Sequence, residues 1–192
     1  MREASANPRM IVGISGASGV IYGARLLELL RPLAVETHLV ISRAAEVTLA
    51  LETDLKLAAV RTRADVVHGI GDMAAPISSG SFRTMGMIVA PCSIRSMAEI
   101  ASGATTTLLT RAADVVLKER RRLVLVVRET PLHTGHLRTM TALSEMGAVI
   151  APPVPAFYAK PVTIAEMIDQ TLGRVLDLFE LDSGTVRRWG ES

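Results

Sequence analysis

Side chains that could bind an anion follow several short apolar segments of the sequence. A glycine-rich stretch at residues 13–19 follows the first segment, and the other such sites are Ser42-Arg43, Pro91-Cys92-Ser93 and Arg128-Glu129. Backbone N–H groups at the start of a helix attract negative charge, and a guanidinium can hold a phosphate by two parallel hydrogen bonds. Together these stretches indicate a ligand that carries phosphate.

The glycine-rich stretch does not have the spacing of a dinucleotide-binding loop. Its glycines stand at positions 13, 16 and 19, and Ser42-Arg43 follows the second apolar segment where a dinucleotide site would have an acidic residue. Since such a site needs G-x-G-x-x-G and a carboxylate for the ribose, the pattern favours a phosphate monoester over NAD. A turn with a purely structural role is the alternative.

Arg128 and Glu129 give the sharpest local signal because they directly follow the strongly apolar segment LVLVV. At the end of a strand in an α/β sheet, Arg128 can hold phosphate and Glu129 can transfer a proton. A surface ion pair is the alternative interpretation. The basic run at residues 118–122 is typical of a solvated helix end, and Lys118 is its expected exception.

Other polar or reactive side chains have simpler explanations. Ser93 is expected to cap the following helix or to contact a ligand, and the lone Cys92 is expected to be inert. His133 and His136 lie one helical turn apart, but no further histidine, cysteine or acidic ligand set accompanies them. We therefore predict no metal site, and we expect His136 to be a hydrogen-bonded helix residue.

These side chains need a scaffold that brings strand ends together, and the sequence predicts one. Apolar segments alternate with stretches of helical periodicity, and the predicted strands are MIVGIS, VETHLVIS, VVHGI, MGMIVAP, LVLVV and AVIAP. Strands that are apolar on both faces indicate an α/β fold: a three-layer sandwich with a mainly parallel sheet, which binds ligands beyond its carboxyl ends. We expect one domain over residues 1–192, with loose ends at 1–9 and 190–192.

Composition excludes several classes of function. A net charge of +2 and an aromatic content of 3% do not suit a nucleic-acid-binding protein. One cysteine cannot form an intramolecular disulfide, and the lack of a signal peptide or a long apolar run predicts no membrane span and a cytoplasmic location. Tyr158 and Trp189 flank polar loops, where they either pack or present a π face to a cation or flat ring.

Short motifs are spread along almost the whole chain. They are Gly16-Ala17-Ser18-Gly19 with Tyr22-Gly23, Ile41-Ser42, Glu52-Thr53-Asp54, Ser79-Gly80-Ser81, Pro91-Cys92-Ser93, Arg111-Ala112-Ala113-Asp114-Val115 with Leu117-Lys118-Glu119, Arg128-Glu129, Phe157-Tyr158 and Arg188-Trp189-Gly190. In this order and spacing the chain resembles the UbiX-like flavin prenyltransferases, which include small subunits associated with hydroxyarylic acid decarboxylases. The resemblance runs from about Met10 to Gly190.

The resemblance implies a flavodoxin-like Rossmann fold assembled as a dodecamer, with active sites shared between subunits. Members of this family join the dimethylallyl group of dimethylallyl monophosphate to reduced FMN at N5 and C6, without a metal, and release phosphate. A decarboxylase of the UbiD type then uses the prenylated FMN.

The resemblance also implies roles for particular residues. FMN would be bound by Gly16, Ala17, Ser18, Ser42, Ser93, Ser96 and Arg128. The substrate phosphate would be surrounded by Lys118, Arg128, Glu129, Tyr158 and Arg174. Glu129 would protonate the departing phosphate, Glu52 would move a proton near the flavin, and Tyr158 with Trp189 would form an aromatic wall that steadies an allylic cation.

The chain departs from many relatives at Met73, at Arg95, at residues 105–107 and at residues 133–139. These positions are expected near the flavin and prenyl pockets, so a non-catalytic FMN-binding subunit of a decarboxylase is the second interpretation.

A flavin-dependent cysteine decarboxylase is the third interpretation. It would need an early catalytic histidine and a P-x-x-N motif. The early histidines are His38, within a predicted strand, and His68, and the motif is absent.

Overall fold

The computed structural model describes residues 7–190, which form one sheet of six strands with helices packed against it. The strands are β1 Arg9–Ile14, β2 Glu36–Ile41, β3 Val66–His68, β4 Gly86–Cys92, β5 Arg122–Val127 and β6 Ala148–Ile150. The α-helices are α1 Ile21–Leu30, α2 Arg43–Glu52, α3 Leu57–Arg61, α4 Ile94–Ser102, α5 Leu108–Lys118, α6 Thr134–Glu145 and α7 Ile164–Asp177. Single 3₁₀ turns occupy Arg31–Leu33, Pro76–Ser78 and Phe157–Ala159.

All pairs of neighbouring strands are parallel, in the order β3-β2-β1-β4-β5-β6. The chain moves outward from β1 through β2 to β3 and then crosses back to β4, so the strand order reverses between β1 and β4. In doubly wound sheets the ligand crevice lies beyond the carboxyl ends of the strands at this reversal. The predicted α/β class with a parallel sheet is confirmed.

Two apolar cores lie on the two faces of the sheet, because alternate residues of a strand point to opposite sides. Met10, Val12 and Ile14 of β1 pack in the core beneath α1 and α7, whereas Ile11 packs in the core beneath α4 and α5. Helix α1 approaches β4 closely at Gly23, where an added Cβ would lie 2.4 Å from the Ala90 carbonyl oxygen. Strands buried on both faces explain the continuous apolar runs in the sequence.

The predicted strands and most predicted helices are present, with three differences. Arg9 was predicted to belong to a loose end, but it begins β1 and its side chain pairs with Glu36 at 3.1 Å. Helix α3 was missed because its five residues are too few to show a periodic pattern. The pattern of HLRTMTALSEMG predicts a helix from His136, but α6 begins at Thr134 because the His133 side chain caps it. The predicted ends at 1–6 and 191–192 lie outside the described residues.

Across residues 7–190, none of the helices combines the length and apolar character that a bilayer-crossing segment needs.

Candidate functional site

A cleft of about 640 Å³ opens at the carboxyl edge of the sheet, where the strand order reverses. Loops after β1, β2, β4 and β5 form its walls. Every residue predicted to bind FMN lines this cleft, together with Glu129: Gly16, Ala17, Ser18, Ser42, Ser93, Ser96 and Arg128. The four strand-end stretches read from the sequence therefore meet in one place.

Serine hydroxyls cap two of the helices that begin at the cleft. The Ser42 side chain accepts a hydrogen bond from the Ala45 N–H at 3.1 Å at the start of α2, and Ser93 accepts one from the Ser96 N–H at 3.2 Å at the start of α4. The predicted cap at Ser93 is confirmed. Both helix N-termini border the cleft, so their dipoles favour a bound anion there.

The glycine-rich loop lies against the start of α2. A Cβ added to Gly16 would lie 2.3 Å from the Ala44 Cβ, so only a glycine lets the loop come this close. Gly16 and Ala44 both line the cleft, and the contact fixes the distance between two of its walls. Gly16 thus has a structural reason to be glycine, and FMN binding by the loop stays a prediction.

A fully buried hydroxyl joins two of the cleft loops. Ser15 Oγ donates to the Pro91 carbonyl oxygen at 2.9 Å and accepts from the Ser93 N–H at 2.7 Å. It therefore sets the loop after β1 and the loop after β4 at a fixed separation. Ser15 lies within the glycine-rich stretch at residues 13–19, but no role was predicted for it individually, although a hydroxyl at the end of an apolar strand was a usable signal.

Arg128 and Glu129 continue the sheet beyond β5. The Arg128 N–H donates to the Cys92 carbonyl oxygen at 3.1 Å, which carries the pairing with β4 one step further. Both residues line the cleft, as their position after LVLVV predicted. The Glu129 carboxylate accepts from the Thr130 N–H at 2.9 Å. Among the described residues no ion pair joins Arg128 to Glu129, so the surface-pair alternative does not describe them.

Glu52, at the end of α2, lies over the glycine-rich loop. Its carboxylate accepts from the Gly19 N–H at 2.8 Å. Partial burial acts to raise the pKa of Glu52, but hydrogen bonds from Ser18, Gly19 and Val20, with the charge of Arg128, bring this pKa below its ordinary value. The Glu52 carboxylate is thus held in its ionised form beside the predicted FMN-binding loop, and its role in proton transfer stays a prediction.

Another wall of the cleft contains Arg95 and Thr106, two positions expected near the pockets, and Glu99, for which the sequence predicted no role. Glu99 accepts from Arg95 Nε at 2.8 Å and from Thr106 Oγ1 at 2.9 Å, and all three line the cleft. The hydrogen bond from Arg95, with help from Thr106, holds the pKa of Glu99 below its ordinary value. The i, i+4 spacing of Arg95 and Glu99 on a helix was the signal that could have revealed this wall.

The surroundings of Cys92 and His136 do not give either side chain a role in catalysis. Burial raises the pKa of the Cys92 thiol to about 12, so this cysteine is protonated and inert, as predicted. The expectation of a hydrogen-bonded His136 is wrong, since its Nδ1 is buried without a partner while its ring lies 3.6 Å from that of His133. Residues 7–190 contain no group of three or more side chains suited to hold a metal ion.

Lys118 does not reach the cleft of its own chain. Thr107, which precedes α5, lines the cleft, but Lys118 ends this 11-residue helix, roughly 16 Å further along its axis. There Lys118 pairs with Glu119, close to Gly80. The predicted convergence of Lys118 on the phosphate is therefore not met within one chain, because α5 spans the sheet from its carboxyl to its amino edge.

Arg174 lies on α7, and Tyr158 and Trp189 lie beside this helix; these three residues are called the α7 cluster. Arg174 pairs with Asp177 at 2.5 Å, and the Tyr158 and Trp189 rings meet edge to face at 5.6 Å. None of the three lines the cleft. Within one chain Arg174 does not meet Arg128, because α7 covers one face of the sheet whereas Arg128 follows β5 at its carboxyl edge. Their convergence between subunits stays a prediction.

Comparisons with known proteins agree with this geometry. A family model described as Flavoprotein matches residues 1–189. The flavin prenyltransferase UbiX of Escherichia coli strain K12 is 62% identical over 174 residues, which are 90% of this chain and 92% of that protein.

Two solved structures are similar over almost their full length. AnUbiX (PadA1) in complex with FMN and dimethylallyl pyrophosphate has a TM-score of 0.95 and 55% identity, covering 97% of this chain and 99% of that one. A dodecameric FMN-dependent UbiX-like decarboxylase from Escherichia coli O157:H7 has a TM-score of 0.93 and 50% identity, covering 95% and 100%. The chain therefore belongs to the flavoprotein family, among its UbiX-type flavin prenyltransferases.

Proposed function

We propose that this chain is a cytoplasmic flavin prenyltransferase that joins the dimethylallyl group of dimethylallyl monophosphate to N5 and C6 of reduced FMN, with release of phosphate. The observation that carries the proposal is the single cleft in which every predicted FMN-binding residue meets Arg128 and Glu129. AnUbiX, at 55% identity, was crystallised with FMN and an allylic phosphate ester, which supports the same pair of ligands here.

The residues of the cleft fit FMN. Serines 18, 42, 93 and 96 offer hydroxyls near the starts of α2 and α4, where a phosphate is favoured. Leu109 and Ile70 add apolar wall, and a volume of about 640 Å³ lies within the usual range for small-molecule and cofactor sites. When bound and reduced, the flavin supplies the electron-rich ring atoms to which the allylic carbon is joined.

The side chains of the chain supply the electrostatics of the transfer. The bond between the allylic carbon and the phosphate oxygen breaks with its electron pair on oxygen, so cations fixed beside that oxygen lower the barrier. We assign this role to Arg128, with Lys118 and Arg174 from neighbouring subunits. Glu129 donates a proton to the departing phosphate, and the ionised Glu52 accepts the proton lost at ring closure.

Shared sites between subunits account for the residues that lie outside the cleft. Around Tyr158 the chain exposes large apolar side chains that a second copy would cover: Phe157 is 75% exposed, Val162 85%, Ile164 73% and Trp189 82%. The UbiX-like decarboxylase from Escherichia coli O157:H7 is dodecameric. We propose the same assembly here, in which the α7 cluster of one subunit faces the cleft of another and Tyr158 with Trp189 forms the aromatic wall.

We further propose that the product serves a decarboxylase of the UbiD type. The proposed product, prenylated FMN, is a modified cofactor, and a cofactor has a function only when another enzyme uses it. Adding the reaction mixture to an inactive apo-decarboxylase of this type should restore decarboxylation, whereas unmodified FMN should not.

Anaerobic incubation with reduced FMN and dimethylallyl monophosphate tests the proposed reaction. Mass spectrometry should find a flavin heavier by one isopentenyl unit, and phosphate should appear in equal amount. Parallel incubation with the diphosphate defines the donor. If FMN stays bound but neither product forms with either donor, the protein is a non-catalytic FMN-binding subunit instead.

A further inference from the structure

The C-terminal segment at residues 182–190 is fastened along α7. Thr185 Oγ1 donates to the Asp169 carbonyl oxygen at 3.2 Å. Arg188 forms a two-pronged pair with the Asp177 carboxylate, at 2.8 and 2.9 Å. The segment thus contacts α7 near its middle and at its C-terminal end, although the segment has no regular secondary structure of its own.

Gln170 occupies the centre of this contact and is only 3% exposed. Its Oε1 accepts from the Arg187 N–H at 2.8 Å, and its Nε2 donates to the Arg187 carbonyl oxygen at 3.1 Å. The same Nε2 donates to the Tyr158 hydroxyl at 3.3 Å. Both amide protons and the amide oxygen are therefore used, and they join the helix, the segment and the aromatic turn.

Packing beside Gln170 leaves little freedom to the segment. A Cβ added to Gly173 would lie 2.4 Å from Val186 Cγ2, so the chain lies directly on the helix one turn after Gln170. Trp189 then reaches the edge of the Tyr158 ring at 5.6 Å. The positions of Tyr158 and Trp189 relative to α7 are thus set by the amide of Gln170 and by this close packing.

We infer that Gln170 is a positioning residue for the donor side of the active site, an inference that rests on the proposed function. Arg174 lies four residues further along the same helix, so fixing Tyr158 and Trp189 to α7 also fixes their distance from the Arg174 guanidinium. An aromatic wall and a phosphate-binding cation must keep one separation to hold an allylic phosphate. A carboxylate at position 170 could not serve, because two of the three hydrogen bonds need an amide donor.

The test compares Gln170→Met and Gln170→Glu with Thr171→Val in the full-length, FMN-loaded protein. Methionine keeps the length of the side chain and glutamate keeps its shape, but both lose the two N–H donors. Thr171 is the matched control, because its hydroxyl bonds only to the Met167 carbonyl oxygen within α7. Trp189 is the sole tryptophan, so its fluorescence reports on the segment directly.

Both Gln170 variants should give Trp189 faster local motion in time-resolved anisotropy and raise the KM for dimethylallyl monophosphate about tenfold. The Kd for FMN should stay within about twofold of wild type, because the cleft is untouched. Thr171→Val should match wild type in all three measurements. Wild-type anisotropy and donor KM in both Gln170 variants would overturn the inference, as would equal changes in Thr171→Val.

The anisotropy result separates this inference from the proposed function. If the wild-type protein forms no prenylated flavin, the proposed reaction is wrong. Faster motion of Trp189 in Gln170→Met would still show that Gln170 holds the C-terminal segment and Tyr158 against α7, an arrangement called the Gln170 clamp. Should the Gln170 variants fail to fold, Thr185→Val removes the bond to Asp169 from the segment side and leaves α7 intact. Thr185→Val should also give Trp189 faster local motion and raise the KM for the donor. Wild-type values of both the anisotropy and this KM would refute the Gln170 clamp.

Discussion

The cleft at the carboxyl edge and the cluster on α7 contain similar side chains in opposite settings. In the cleft, hydroxyls, Arg128 and Glu129 surround one open volume within a single chain. On α7, Arg174 is paired with Asp177 and the Tyr158 hydroxyl is bonded to Gln170, while Trp189 is largely exposed. The first region is a complete pocket, whereas the second is a preformed surface that needs another molecule to face it.

The difference shows what strand topology assembles without help. Loops after parallel strands meet at one edge because the sheet brings them there, so their residues need no partner subunit. Lys118 at the far end of α5 and Arg174 on the outer helix α7 lie outside the cleft of their own chain, and under the proposed assembly they would face the cleft of another subunit. The contrast between the two regions can be tested by substitutions that should impair one region and leave the other unchanged.

The largest effect is expected at Glu129. Glu129→Gln removes the proton for the departing phosphate while keeping the shape of the side chain, so turnover should fall about 10²- to 10³-fold. Rapid-quench measurement of phosphate release checks this, with FMN affinity measured beside it and expected to change little. Glu28→Gln, which loses only surface ion pairs with Arg25 and Arg63, is the control. Rates in Glu129→Gln equal to the control would remove this residue from the chemistry.

Arg174→Ala should act on the other region and on the other ligand. Loss of a phosphate-binding cation should raise the KM for the prenyl donor about 10- to 100-fold, with the Kd for FMN unchanged. Steady-state kinetics and flavin titration separate the two quantities. Weakened FMN binding with a normal donor KM would reverse the assignment of the α7 cluster.

Two helix caps give a matched pair across the comparison. Ser93 caps α4 at the cleft, and Thr163 caps α7 by accepting from the Glu166 N–H at 3.1 Å. Ser93→Ala and Thr163→Ala should each lower the free energy of unfolding by about 1 kcal/mol. Only Ser93→Ala should also weaken FMN binding, about three- to tenfold. Equal FMN affinity in the two variants would mean that Ser93 is a cap and nothing more.

The smallest expected effect is a pH-dependent one at Glu52. Its pKa is lower in the folded protein than its ordinary value near 4.5, so its contribution to stability is present above that value and is lost as the pH falls through the folded pKa. Because the side chain is exposed, Glu52→Gln should cost only about 0.5–1 kcal/mol at pH 7. Denaturant unfolding at pH 7 should show this difference in the free energy of unfolding between Glu52→Gln and wild type, and the difference should shrink as the pH is lowered toward 3. A difference that does not depend on pH would contradict the charge interaction.

Sequence alone predicted the cleft well, for a physical reason. The loops after β1, β2, β4 and β5 are defined by apolar runs that end sharply, and parallel topology converts sequence position into spatial position. That is why Ser18, Ser42, Ser93 and Arg128 could be assigned together. The hydrogen bonds around Glu99 were not predicted, because the bond from Thr106 comes from a loop outside α4 and only the i, i+4 spacing of Arg95 and Glu99 is visible in the sequence.

The α7 cluster could be predicted only in its composition. The resemblance assigned Tyr158, Arg174 and Trp189 to the substrate, but their distance from the cleft depends on how helices cover the sheet and on neighbouring subunits. Neither the packing of helices on the sheet nor the contacts between subunits can be predicted from short sequence motifs. The burial of Gln170 and its hydrogen bonds to Tyr158 and Arg187 were likewise not predicted, because a glutamine in an amphipathic helix is ordinarily expected at the surface.

Mixing the Glu129→Gln and Arg174→Ala variants tests the shared site most directly, with the prenyl donor kept well below the wild-type KM so that each variant alone is nearly inactive. Glu129→Gln damages the cleft and leaves the α7 cluster intact, and Arg174→Ala does the reverse. After the two are unfolded together and reassembled in equal amounts, sites that combine an intact cleft with an intact α7 cluster from another subunit should restore about one quarter of wild-type activity. Activity that stays at the level of the separate variants would contradict a site built between subunits.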